Sequence, residues 1–385
     1  MRMVEWKKMW ELTAWDKKFQ GVDKSMQSKI IPYTYLLAKD LFDLAVPNGN
    51  IKLLSTGVQE GWTTEELAGK NLSEGEVVTI PWGKSPGAQN PVKYYKGKFV
   101  TGDNRIATSL DTNVLNNKFL YYWMYSNSDV IETYYRGAGI QHPSMFKVLT
   151  MSVPLLSISE QLRIVGILDT FTSSIDNLKQ QIAQRRKQYE YYRDKLLDLE
   201  GKVEIKRYIL KYVCEVINGR AYSQPELLRD GKYRVLRVGN FFSNDNWYYS
   251  DLELEDKYYC NNGDLLYAWS ASFGPHIWEE EKTIYHYHIW KMECSEILMM
   301  KYMFYWLQSE DMRKQAFSNL HGATMAHLTK ALMESLLVPV PSLPEQQRIV
   351  DILDKFEASI QNLEAQLSQR EKQYEYYCNK LLTFE

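Results

Sequence analysis

Apolar residues fall on a heptad between Glu160 and Leu199. Leu168, Phe171, Ile175, Leu178, Ile182, Tyr189, Tyr192, Leu196 and Leu199 follow steps of three and four, interrupted at Arg185. The same stripe returns 185 positions later as Leu353, Phe356, Ile360, Leu363, Leu367, Tyr374, Tyr377, Leu381 and Phe384, interrupted at Arg370. A 3.5-residue period sustained this long is a coiled-coil seam. Two near-copies in one chain predict an intramolecular antiparallel helix pair, about 48 Å long from Leu168 to Leu199 at ~1.5 Å per residue. The seam arginines weaken such a core locally and help set register. Pro154 and Ser159 mark the entry to the first helix, and Pro339, Pro341 and Pro344 the entry to the second. Ser159 is the expected N-cap and Pro344 a first-turn residue.

The repeat is wider than the seam. Val153–Glu200 and Val338–Glu385 align without a gap and are identical at more than half of their positions. Ahead of each helix the pattern changes to short β-branched and aromatic runs bounded by Gly, Asn or Pro. VVTIPW, GKFVTG, YRVLRVGNFF, DLLYAW and TIYHYHIWKME are the expected strands. KFLYYWMYS and LMMKYMFYWLQS predict one helix per domain. Gly75-Glu76 and Gly263-Asp264 are expected as matching turns that feed a strand, and PWGKSPG parallels AWSASFG. The expected organisation is therefore a domain over residues 1–152, a helix over 153–202, a second domain over 203–337 and a second helix over 338–385. The fold class is α+β: two mixed domains separated by two long helices that form an antiparallel coiled coil, with a pseudo-two-fold internal repeat. Similar surfaces set about such an axis suit a nearly two-fold ligand, duplex DNA.

Composition changes this picture in few places. Net charge is −2 in 385 residues, with 28 Tyr and 11 Trp. Lone DNA-binding domains are usually basic. Residues 1–150 carry 18 Lys/Arg against 15 Asp/Glu, and residues 203–335 carry 15 against 18. Phosphate neutralisation must then come from local patches or from partner subunits. Cys214, Cys260, Cys294 and Cys378 form no CxxC pair and no disulfide framework. A reducing, cytoplasmic setting is expected, with no membrane span and a start too charged for a signal peptide. There is no ATP-binding P-loop and no adenine methyltransferase motif; Asn90-Pro91-Val92 is only a fragment of one. Asp251 with Glu255-Asp256-Lys257 is an acidic turn rather than a nuclease cluster. His286 and His288 in YHYH are expected on one strand with a wet face, not as metal ligands.

One segment points to a family. GATMAHLTKALMESLLVPVPSLPEQQRIVDILD (Gly322–Asp354), with its partial twin GAGIQHPSMFKVLTMSVPLLSISEQLRIVGILD (Gly137–Asp169), resembles the specificity subunit of type I restriction–modification enzymes. The order domain–helix–domain–helix extends the resemblance over essentially the whole chain. The first copy departs from it, with MFK at Met145–Lys147 where the second has LTK. The resemblance implies target recognition domains on a helical spacer that serves as a platform. The implied partners are double-stranded DNA, two methyltransferase (modification) subunits and restriction/translocase subunits. Implied too is a chain with no catalytic residues and no cofactor of its own; S-adenosylmethionine, ATP and Mg belong to the partners. The alternative reading is a coiled-coil scaffold without sequence-specific DNA binding.

The candidate DNA-binding residues follow from side-chain chemistry. In the first domain, Trp82, Lys84, Ser85, Gln89, Asn90, Lys93, Tyr94, Lys96, Lys98 and Arg105 lie in a Gly/Pro-rich hairpin. Lysines suit phosphates, Gln89 or Asn90 suits adenine, and Arg105 suits guanine. In the second domain the candidates are Arg220, Tyr222, Arg234, Arg237, Asn240, Trp269, Ser270, Ser272 and His276. Arg234 and Asn240 are expected to share a strand face. A 48 Å rod corresponds to about 14 base pairs at ~3.4 Å each. With three to five pairs read per half, about five to eight pairs would remain unread.

Overall fold

The computed structural model describes residues 4–57, 59–85, 92–199, 205–242, 244–270, 272–317 and 328–384. The chain forms two compact units: Met1–Asn177 with Gln366–Glu385, and Leu178–Ala365. Each unit contains one globular domain and a part of both long helices, Ile158–Leu197 and Leu343–Leu382.

In the first unit a seven-stranded sheet is built around Ser73–Pro81 and Lys93–Gly102, which pair antiparallel from Ser73↔Phe99 to Thr79↔Lys93. Asn104–Ser109 pairs on the other side of Ser73–Pro81. Both faces of these strands are covered, so their residues are buried in runs rather than in alternation. Val78 and Ile80 join the main core with Phe119, Leu120 and Trp123 of the helix Asn117–Ser126. Val77, Phe99 and Ile106 form a second cluster. The helix begins at Asn116, whose side chain accepts from the amides of Lys118 and Phe119. Gly75 lies inside a strand, not in a turn, whereas Gly263 does occupy a turn, at φ +94°.

The second unit has two four-stranded sheets instead of one large one. The first contains Cys214–Asn218, Ile289–Cys294, Leu265–Ser270 and Ser272–Ile277, all antiparallel. The second contains Tyr248–Ser250, Tyr233–Leu236, Thr283–Tyr285 and Tyr259–Cys260. Two expected strands break. YRVLRVGNFF is a strand only over Tyr233–Leu236, and Val238–Phe242 is a helical turn. The Asn240 side chain closes that turn, accepting from Arg237 N and donating to the carbonyls of Asn244 and Asn246. Arg234 and Asn240 therefore share no strand face. TIYHYHIWKME is two strands, Thr283–Tyr285 and Ile289–Cys294, joined by a turn over 286–288. His286 N donates to Leu236 O there, a tertiary bond that diverts the chain.

The long helices pack antiparallel. In the second unit Arg186 bonds Glu364, Tyr189 Oη donates to Glu357, and Tyr192 stacks on Phe356 at 5.4 Å between ring centroids, numbers rising on one helix as they fall on the other. In the first unit Phe171 stacks on Tyr377 at 5.1 Å. The seam arginines are accommodated by ring faces: Arg185 lies over Phe356 and Arg370 over Phe171. Leu168, Ile175, Leu178, Ile182, Tyr189 and Leu353 are buried, and Leu196, Ile360, Leu363, Leu367, Tyr374 and Leu381 half-buried. Tyr192 keeps 43% of its surface despite its stack. The first helix starts at Ile158, one residue before the expected cap, and Ser157 Oγ takes the amide of Glu160. No described helix is long and apolar enough to cross a membrane.

Candidate nucleic-acid interface

In the second domain the broken strand gathers an aromatic and basic cluster. The turn over 286–288 is held beside the end of Cys214–Asn218, because Arg220 N donates to Tyr285 O and Tyr287 N to Arg220 O. Trp269, from the end of Leu265–Ser270, donates its indole N–H to Tyr287 O at 2.9 Å and stacks on Trp290 at 5.6 Å. The His288 ring meets Trp269 edge-on, and His286 stacks on Tyr222. Arg220 lies over Tyr222 and pairs with Glu226 at 2.7 Å; Arg237 is exposed over Tyr248. Burial first, then His288 and Arg237, pushes His286 down to about 4. At neutral pH it is an uncharged donor and acceptor. Among the described residues, Arg220 Nη1 and Tyr222 Oη are buried without a partner. A ring platform with arginines at its rim and unmet polar atoms suits a polyanion that also presents base edges.

The expected residues of this domain divide. Arg220, Tyr222, Arg237 and Trp269 are brought together. Arg234 is not among them: it lies over Trp247 and bonds Glu280 and Glu281. Asn240 spends its amide on the turn. Ser270 is buried and Ser272 exposed. His276 packs on Phe241 and lines a different cleft with Tyr189 and Glu357, and burial pushes it below its ordinary value. Sequence reasoning passed over His286, Tyr287 and His288 as functional residues. The available signal was their density of rings, YHYH running directly into Ile289-Trp290.

The first domain presents a cleft of about 550 Å³ lined by Phe42, Ser55, Gln59, Trp82, Asp103 and His142, among others. His142 Nδ1 bonds Trp82 O at 2.8 Å and its ring tilts onto the indole. Arg105 is the main correction. It is fully buried, paired with Asp16 at 2.7 Å and with Asp103, and its guanidinium lies over Trp82. It shapes the cleft from beneath and cannot reach a guanine. Lys84 is buried too, in an ion pair with Glu132, with its main chain bridged to Gln141. Lys93 donates to the carbonyls of Ser55 and Gly57, and burial pulls its amine below the ordinary value. Tyr94 is half-buried and donates to Glu76. Lys96 pairs with Glu76 and Lys98 with Glu65, both at solvent-reachable positions. Ser85 is exposed, and Gln89 and Asn90 lie outside the described residues.

Each domain is fastened to a long helix by the same device. Gln161, fully buried, accepts from Asn116 N at 2.8 Å and donates to Val114 O and Leu156 O at 2.8 and 2.9 Å. Gln346, fully buried, accepts from Met299 N and donates to Ile297 O and Pro341 O, all at 2.8 Å. One helical turn pair further on, Asp169 takes Lys118 and Tyr122, and Asp354 takes Lys301 and Tyr305. The surfaces of the two domains therefore differ while their mounts repeat.

Comparison with known proteins agrees with this geometry. A family model described as the type I restriction modification DNA specificity domain matches twice, over residues 38–185 and 202–371. A putative type I restriction enzyme specificity subunit of Haemophilus influenzae is 28% identical over 81% of this chain and 83% of its own length. A type I restriction enzyme specificity subunit of Escherichia coli is 27% identical over 73% of this chain and 74% of its own. The crystal structure of a type I restriction–modification S subunit from M. genitalium superposes with a TM-score of 0.64 at 17% identity, covering 100% of this chain and 98% of that one.

Proposed function

The chain belongs to the type I restriction–modification DNA specificity family, and from that premise we propose that it reads an asymmetric, two-part duplex DNA site with a fixed gap and catalyses nothing itself. The observation that carries this reading is the pairing of identical mounts with unlike surfaces. One domain presents the Trp82–His142 cleft, and the other the Trp269–Tyr287–Arg237 cluster. Two different surfaces read two different half-sites. The antiparallel helices set the gap and offer a repeated platform to two adenine methyltransferase subunits and, through them, to restriction/translocase subunits. S-adenosylmethionine, ATP and Mg act on those partners, and the target adenine is flipped in the methyltransferase pocket. Four of the candidate cations of the first domain, Lys84, Lys96, Lys98 and Arg105, are already paired with carboxylates, so the partner subunits supply much of the phosphate neutralisation.

The test is sequencing-based mapping of methylated adenines in cells that express the chain with its cognate methyltransferase. One split motif with a fixed gap is the expected result. No new methylation from a complex shown to assemble would leave only the scaffold reading. Insertion of one heptad into both long helices is expected to change the gap and leave both half-sites as they were.

A further inference from the structure

Two of the cysteines play no part in the reading above, and the sheet of the second domain brings them face to face. Cys214 and Cys294 are register partners on adjacent antiparallel strands. Ser295 N donates to Val213 O at 2.9 Å, the bond that flanks a pair which itself exchanges none. At such positions the Cα atoms approach to ~4.5 Å and side chains come closest. That separation lies inside the range a disulfide spans. The sulfurs are 3.9 Å apart, with the Cys294 sulfhydryl donating to Cys214, and both are free thiols. Cys214 is 3% exposed and Cys294 is half-buried. Cys260 sits in a separate core cluster and donates to Thr283 O; Cys378 belongs to the second long helix in the other unit.

We infer that Cys214 and Cys294 form a thiol–disulfide modification site, closed to a cross-strand disulfide by a low-molecular-weight disulfide. Cys294 is the sulfur an oxidant reaches. Its thiolate attacks one sulfur of the small disulfide, forms a mixed disulfide and expels one small thiolate. Cys214 then attacks the Cys294 sulfur, its proton passes to the second small thiolate, and that thiol leaves. Two protein thiols become one disulfide, and one small disulfide becomes two small thiols. Cys214 is a poor first nucleophile, because the neighbouring Cys294 sulfhydryl and then burial push its thiol up. The same pair of strands runs on to Asn218↔Trp290, and Trp290 supports Trp269 in the aromatic cluster. Closure therefore pins the ladder on which that cluster stands.

The experiment is incubation of the full chain with hydroxyethyl disulfide, then acid quench, intact-mass measurement and thiol counting in denaturant. The wild type is expected to lose two of its four titratable thiols and the mass of two hydrogens, with a peptide linking Cys214 to Cys294. Cys214→Ser is expected to stop with one small thiol bound at Cys294. Cys294→Ser is expected to keep all three thiols. A wild type that keeps four thiols, or that halts at the mixed disulfide, overturns the inference. Neither result bears on DNA recognition, so the two readings fail separately.

Discussion

Arg105 and Arg237 are the same residue type in the two recognition domains, and they do opposite things. Arg105 has no exposed surface and neutralises Asp16 and Asp103 under Trp82. Arg237 reaches solvent over the ring of Tyr248. The difference lies in what covers the strand end that carries each: two packed faces in one case, an open turn in the other. Residue type proposes an arginine for DNA, and burial decides whether it is available.

Four experiments sharpen or break this contrast. The largest effect belongs to Arg105→Ala, which strands two carboxylates; the first domain should lose about 3–5 kcal/mol. Urea unfolding followed by exchange protection of the strand Asn104–Ser109 checks it, and a loss below ~1 kcal/mol would mean the arginine is a surface residue after all. Next are Gln161→Ala and Gln346→Ala. Each removes three bonds to main-chain groups, most of them only part-buried, and should cost about 1–3 kcal/mol in all. The two losses should be alike, and unequal melting shifts would separate mounts that the geometry makes equivalent.

Arg237→Ala should leave the melting temperature unchanged and relax methylation at one half-site only, by about 1–3 kcal/mol of discrimination if it meets a base edge. A uniform loss at all sites would make it a phosphate contact. The smallest effect concerns pH. Burial raises Glu357 above its ordinary value of 4.5, and Tyr305 and Tyr189 donate to it. Thr172 holds the corresponding place in the first unit. A raised folded pKa contributes stability that is complete below the unfolded value and lost as pH rises through the folded one. Protection of Met300–Trp306 should therefore fall above pH 4.5 by about 1 kcal/mol or less. Glu357→Gln should abolish the fall.

The parts legible in the sequence are those governed by local period. The seam residues Leu168 to Leu381 announce themselves every three or four positions, and KFLYYWMYS and its counterpart are helices in place. What was hidden depends on partners far along the chain. Arg105 is claimed by Asp16, 89 positions away, and its own segment reads as an open basic hairpin. YHYH has strand composition and becomes a turn because Leu236 and Arg220 capture its amides. Val238–Phe242 has strand composition as well and is wound by a single asparagine side chain. The candidate sites occupy those exceptions, so pattern located the frame better than the surfaces that would read DNA.

The glutamine mounts have one more consequence. Among the described residues, the Gln161 and Gln346 side chains hydrogen-bond peptide groups, offered by Val114, Asn116 and Leu156 in one half and by Ile297, Met299 and Pro341 in the other. A connector that grips backbone does not care which side chains it is handed. A foreign domain spliced in by recombination would find its fastening already cut to size, provided its loops kept their path. New DNA specificities could then be acquired by exchange of whole cassettes, without retuning the helices that carry them.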